Sequence, residues 1–389
     1  MPSTKELSSQ SRSAVLDALR GVAALIVVVC HCLSANRIYN HLTAPEDHTV
    51  QGVTRFVLFD SPLHILWNGA FAVDIFFVLS GYVLTTAILR SSPTDRWRRY
   101  YPKRLVRLYA PVVASLSFAY LLAVLVPRTP TPAASVWLNG FTTKLGLLDA
   151  FRESALLLGP GNLNPPLWSL RQEVILSMLL PAYVFATRVR IPDTLKLVGY
   201  IGVVFAAALI APTSPTAHFV TLSATLAGAF GSGTVLATAP ALRTKCVPKS
   251  TFGWWVYAVV TLAAANAYFF FFDLHLTSSL LLAGAYSAFV AAAALCVLAA
   301  LECRALQKAL QKKVPLWLGQ RSFALYLIHL PIVIAVAYTV GPNHTPLLVT
   351  LSLPVVLLAT ELFYRLVDVP SQRLSARVAQ KVTARSTRG

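Results

Sequence analysis

Ala14-Val-Leu-Asp17-Ala-Leu-Arg20-Gly-Val-Ala-Ala-Leu-Ile-Val-Val-Val-Cys30-His31-Cys32-Leu-Ser-Ala35 is the stretch that decides the fold. Apart from Asp17, Arg20 and His31 it is apolar or small, and as a helix it is long enough to cross a bilayer. An ionisable side chain inside such a run is costly and points to function by default. Arg20 and His31 are eleven positions apart, about 16 Å along a helix axis. The pattern therefore puts one polar group near each side of a membrane. Two readings of His31 stand on this run alone: a packing histidine bonded to a neighbouring helix, and a group that does chemistry inside the bilayer.

Composition supports the membrane setting. The chain has 389 residues, 56% of them hydrophobic and 12% charged, where soluble domains carry about 25% charged residues. Its net charge of +18 would raise nucleic acid as a partner in a soluble protein. Here the basic residues fall in the gaps between apolar runs, which favours a membrane-orientation signal over a nucleic-acid surface, and no nucleic-acid partner is expected. The five cysteines have no framework spacing. Cys30 and Cys32 flank His31, but adjacent helix positions point about 100° apart, so the three do not converge on a metal; they read as packing residues. No small-residue cleavage site follows the first run, so that span is expected to remain in the mature protein.

Ten apolar runs are expected to cross the membrane, near 14–35, 67–89, 107–127, 167–187, 195–212, 217–238, 252–272, 277–301, 321–341 and 346–366. Pro/Gly clusters at 211–215 and 341–343 mark tight turns between neighbours. The gaps alternate in charge: with Arg20 and Arg365 counted in the tails beside them, the N-terminal tail, 90–107, 188–196, 239–251, 302–321 and the C-terminal tail hold 27 of the 33 Lys and Arg residues. Positive-inside bias then places both termini in the cytoplasm. The fold expected is all-α, a polytopic membrane protein with about ten transmembrane helices. Two outer loops, 35–66 and 128–166, are long enough to suggest a role.

In this orientation the first helix runs outward, with Arg20 near the inner face and His31 in the outer half. Asp17 precedes Arg20 by three positions, close enough to orient it. The second span carries Asp74 and Ser80-Gly81; for Asp74, a helix cap, a packing partner and a site role are all open. The densest basic cluster follows, Arg96-Trp-Arg98-Arg99-Tyr-Tyr-Pro-Lys103-Arg104-Leu-Val-Arg107. The fourth span opens on Asn164-Pro-Pro-Leu167-Trp-Ser169-Leu-Arg171-Gln-Glu173, prolines suiting a helix start. That start puts Glu173 about 9 Å inside the outer boundary, at the depth of His31. Arg171 and Glu173 are two apart and do not face each other. The ninth span adds Tyr326 and His329, the histidine placed nearer mid-membrane.

These segments together resemble the membrane-bound acyltransferase-3 family of O-acyltransferases. Leu16-Asp17-Ala-Leu-Arg20-Gly21 with His31 is similar to its Arg-x10-His first-helix motif, and Phe76-Phe77-Val-Leu-Ser80-Gly81 to its second-helix signature. Arg104-Leu-Val-Arg107 resembles the Arg-x-x-Arg donor-loop motif. Leu167-Trp168-Ser169-Leu170 with Glu173, Ser322 with Tyr326-Leu-Ile-His329, and Asp368-Val-Pro370 resemble three further segments. The resemblance runs from about residue 14 to 375, in family order. Asp368 stands where Glu is usual, Val174 replaces a frequent second acid, and Ser177 stands where an aromatic is common. The resemblance implies a transmembrane acyltransferase domain over 1–375 with a basic cytoplasmic tail at 376–389, in the plasma membrane, most simply a bacterial inner membrane. It implies acetyl-CoA as acyl donor, with no metal, and a carbohydrate, glycolipid or other hydroxylated acceptor.

The chemistry follows from what acyl transfer needs. The acceptor hydroxyl must lose its proton as the new bond forms, and imidazole titrates in the range that suits this. His31 is accordingly the expected general base, with Glu173 fixing its tautomer and stabilising the imidazolium. Arg104, Arg107 and Arg20 are expected at the coenzyme A phosphates, which arginine binds in bidentate fashion. Ser80, Tyr326 and His329 are expected to line the donor side. Bland readings stand beside these: positive-inside topology for the basic cluster, and interhelical hydrogen bonds for Tyr326 and His329. Glu361 and Arg365, four apart, read as a structural ion pair. The competing class is a transporter or flippase for a sugar or lipid-linked sugar, although no internal repeat supports it.

Overall fold

In the computed structural model the described residues are 4–36, 61–93, 96–142, 146–156, 161–210, 215–273 and 279–386, with the side chains of 4–11, 215–218, 268–273 and 383–386 excepted. Most of the outer loop expected at 35–66, and the turn at 211–215 up to its last residue, lie outside them.

Helix is the regular structure of the described residues, with one isolated antiparallel bridge between Asn36 and Ala134. In chain order the helices are α1 Thr4–Ser34, α2 Gly69–Arg90, α3 Arg96–Leu125, α4 Val136–Asn139, α5 Leu147–Ser154, α6 Leu167–Met178, α7 Leu180–Ala186 and α8 Asp193–Ile210. They continue as α9 Pro215–Thr238, α10 Pro240–Lys245, α11 Thr251–Asp273, α12 Ser279–Glu302, α13 Arg304–Leu310, α14 Lys313–Val340, α15 Thr345–Phe363 and α16 Val369–Ser386. Among the described residues eight helices are long and apolar enough to cross a membrane: α1, α2, α3, α8, α9, α12, α14 and the α15–α16 run. The protein is an all-α, multi-pass membrane protein.

Of two further expected spans, one is broken and one is a single helix. The run at 167–187 is broken between α6 and α7 at Leu179, because Pro181 lacks an N–H and its ring crowds the carbonyl four residues back. The run at 252–272 is α11, a helix of 23 residues. The basic stretch 96–107, expected as a loop, is the start of α3. Arg, Leu and Lys are good helix formers, and Trp97, Tyr100 and Tyr101 pack ring on ring along it. Gly341, at φ 93°, ends α14 in the left-handed conformation that glycine adopts without strain. Helix α16 runs unbroken across residue 375, where the tail was expected to begin.

The chain forms two compact units interleaved in sequence. The first comprises Met1–Ala23, Gly52–Arg90 and Ile175–Gln320. Its helices approach closely through small residues, as membrane helices do where apolar area gives no driving force. A Cβ on Gly81 of α2 would stand 2.0 Å from the Phe230 carbonyl of α9, and one on Gly233 of α9 2.0 Å from the Val78 carbonyl. In the same way Gly21 of α1 meets the Gly319 backbone of α14. Phe71, Leu79, Leu226 and Phe230 fill the core. Asn68 caps α2, accepting from Phe71 N at 2.9 Å, so Asp74 is not the cap; it lies buried within the helix.

The second unit comprises Ala24–Gln51, Ser91–Val174 and Arg321–Gly389. Here α16 lies along α3, the middle of α14 meets the start of α6, and Ser135 is bonded to the end of α1. Asn164, just before α6, donates from Nδ2 to Ser115 Oγ of α3 (3.2 Å) and to the Leu327 carbonyl of α14 (2.9 Å). One buried side chain thus ties three helices where unsatisfied polar atoms would be expensive.

Candidate active site

His31 and His329 are hydrogen-bonded, Nδ1 to Nε2, at 2.8 Å. The ring centroids are 5.1 Å apart and the planes 7° apart, so the bond lies in a shared ring plane. The two histidines, expected at different depths, are at one level. On its other nitrogen His329 lies 2.9 Å from the Tyr326 carbonyl and 3.0 Å from that of Leu325. Carbonyl oxygens only accept, so His329 Nδ1 carries the hydrogen and its Nε2 is an acceptor. His31 Nδ1 must then be the donor of the 2.8 Å bond, which leaves the lone pair of neutral His31 on Nε2. The backbone of α14 fixes both tautomers.

Nδ1 of His31 is therefore taken by His329 and not by Glu173, contrary to the expected carboxylate–imidazole pair. Glu173 instead accepts from Arg104 Nη2 at 2.5 Å. A guanidinium is charged at every relevant pH and outcompetes neutral imidazole for a carboxylate. One turn on, Arg107 bonds Asp368, a fully buried carboxylate, and lies over the Phe323 ring at 4.8 Å. Asp368 ends a π-helical segment, Tyr364–Asp368, between α15 and α16. The two arginines of the Arg-x-x-Arg segment, expected at phosphates, each hold a carboxylate. Arg104 Nε is buried with no hydrogen-bond partner.

Tyr326 Oη and Ser169 Oγ are 2.5 Å apart, joining α14 to α6. Both ring nitrogens of His329 are engaged, so what it offers, it offers to His31. Arg20 and Ser80 belong to the first unit. There Asp17 accepts from Arg20 Nη1 at 3.3 Å, as the three-residue spacing predicts, and Ser80 is buried beside Gly81. Glu361 pairs with Arg365 at 2.5 Å, as expected, and also with Arg321, which lies 4.6 Å from the Tyr364 ring centroid. Arg171 donates from Nε to the Leu156 carbonyl at 2.8 Å.

The sequence did not single out Trp137. Its ring is parallel to His31 within 12°, centroids 5.4 Å apart. It sits on α4, within a segment, expected as an outer loop, whose length had been its only signal. Further along that loop Glu153 is buried and accepts from the backbone N–H of Asn162, Leu163 and Asn164 at 2.6, 2.8 and 3.3 Å, which shapes the entry to α6. Burial lowers the guanidinium pKa of Arg128 from its ordinary value, against the opposing pull of Tyr338 and Glu153.

Comparison with known proteins agrees with this picture. A family model described as an acyltransferase domain, Acyl_transf_3, matches residues 14–365. A protein of Streptomyces mycarofaciens named acyltransferase MdmB is 28% identical over 169 residues, 43% of this chain and 38% of that protein. The match thus spans under two fifths of the length of that curated relative. No solved structure matches the chain.

Proposed function

The chain belongs to the acyltransferase-3 family, and from that premise we propose that it transfers an acetyl group from cytoplasmic acetyl-CoA to a hydroxyl of a carbohydrate, glycolipid or similar acceptor on the outer side of a plasma membrane, such as a bacterial inner membrane. The enzyme class replaces the transporter reading, which the same buried ionisable groups had left open.

The observation that carries the proposal is the tautomer of His31. With Nδ1–H donated to His329, its Nε2 lone pair is held ready for a proton. In the reaction the acceptor O–H gives its proton to Nε2 while its oxygen attacks the thioester carbonyl. The C–O bond forms, the C–S bond breaks, and the departing thiolate takes the proton back from the imidazolium. General-base assistance of this kind is worth about 10²–10⁴-fold. Arg104 and Arg107 are the cations for the donor's phosphates, and the unpartnered Nε of Arg104 supports that assignment. Tyr326 lines the donor side. Glu173 holds Arg104 in place.

The test is loss of acetyl-CoA thioester by the purified protein, in detergent and in proteoliposomes, beside His31→Gln at matched thermal melting. Turnover should fall by about 10²–10⁴-fold in a variant that melts with the parent. Equal turnover in the two proteins, or none in either, overturns the proposal.

A further inference from the structure

We infer that Trp137 supports the imidazolium form of His31 through the face of its indole, the role a carboxylate has in other acyl-transfer sites. The inference rests on the reading of His31 as base and concerns what surrounds the base once it has taken a proton. In a Ser-His-Asp arrangement, a carboxylate on Nδ1 orients the ring and stabilises the cation. Here Nδ1 is bonded to a neutral imidazole, and Glu173 is bonded to Arg104. Orientation is thereby supplied, but no charge is. What faces the ring is Trp137, parallel to it and with centroids 5.4 Å apart. A cation within about 6 Å of an indole face is attracted by the ring quadrupole, tryptophan being the strongest of the aromatic side chains in this respect.

The way Trp137 is held supports a positioning role. Its helix, α4, has only four residues and stands in a loop, yet it is fastened to both helices that carry the histidines. Ser135 donates from Oγ to the Ser34 carbonyl of α1 (2.7 Å) and from its backbone N–H to the Ala35 carbonyl (3.1 Å). The same Oγ accepts from Leu138 N at 3.0 Å and caps α4. Tyr338 of α14 donates to the Leu138 carbonyl at 3.0 Å, and the Leu138 side chain is fully buried. Phe141 sets its ring against Trp137 at 87°, centroids 5.1 Å apart. Among the described residues, the titratable groups beside His31 are His329 from α14, with Tyr326 one turn before it, and Cys30 and Cys32 on its own helix; α4 adds none.

The pH dependence of acetyl-CoA turnover separates this role from that of a wall. A base must be unprotonated to act, so turnover falls on the acid side as His31 protonates. Weakening the imidazolium lowers the pKa of that limb. Trp137→Leu should move the acid limb down by roughly half to one pH unit and lower the plateau about 3- to 10-fold. Trp137→Phe should lie between Leu and the parent, and it carries the test if the leucine variant melts early. A limb that stays in place in both variants, whatever the plateau does, overturns the inference while leaving His31 as base. Undiminished turnover in His31→Gln instead removes the reading on which it rests.

Discussion

In the first unit α2 and α9 meet backbone to backbone; in the second the helices around His31 meet through paired polar side chains. Gly81 and Gly233 let α2 and α9 approach until no methyl group fits between them. Such contacts hold helices in lipid by van der Waals packing, and they present no chemistry. The second unit gathers His31–His329, Arg104–Glu173, Arg107–Asp368, Arg321–Glu361 and Asn164 with its two partners. Each is costly to desolvate and needs its partner in place, so these interactions add less stability than they add definition. The contrast separates a scaffold made by removing side chains from a site made by pairing them.

Substitutions at three positions press on that contrast. The largest effect is expected from Gly81→Ala, whose new methyl would lie 2.0 Å from the Phe230 carbonyl. Backbone, not a side-chain tip, must move, and the cost should reach about 3 kcal/mol or more. Thermal melting and gel filtration in detergent should show early unfolding; a melt within two or so degrees of the parent would mean that α2 and α9 are not so closely locked. His329→Leu comes next. It removes the acceptor for His31 Nδ1–H and frees the tautomer, so turnover should fall about 10- to 100-fold with a near-parental melt, while His329→Gln, which can still accept, should recover part. Equal losses in the two variants would assign His329 to packing. The smallest effect belongs to Arg365→Ala. Its side chain is 71% exposed, and Glu361 keeps Arg321. Exposed pairs are worth about 0–1 kcal/mol, so melting and turnover should both stay near the parent. A large loss would show that the Glu361 cluster depends on both arginines.

Much of the first unit was legible in the sequence because apolar length marks a span directly. What escaped was local: Pro181 breaks a run that hydropathy joins, and in the second unit the strong helix formers of 96–107 outweigh the loop signal of their charge. The site was legible in its members more than in its pairings. His31, His329, Glu173, Arg104 and Arg107 all stand out as polar groups in or beside apolar runs. Which of them bond is set by distances between helices far apart in the chain, 298 positions in the case of the two histidines. The expected imidazole–carboxylate pair was a reasonable match of depth, but depth along an axis does not give the direction a side chain faces. Trp137 left almost no trace, since an aromatic in a polar loop carries no periodicity. By contrast, the pairs Asp17–Arg20 and Glu361–Arg365 were readable because three- and four-residue spacing fixes them within one helix.

The π-helical segment at Tyr364–Asp368 has the geometry of a single residue inserted into an α-helix. In a plain α-helix, Glu361 and Asp368, seven positions apart, would point nearly the same way and would address the same neighbours. The extra residue turns the later part of the helix by roughly 100° relative to the earlier part. The two acids are thereby dealt to different partners, Glu361 to Arg321 and Arg365, Asp368 to Arg107. Shortening the segment by one residue would leave every side chain but one in the chain and still put one of the two acids out of phase with its arginine.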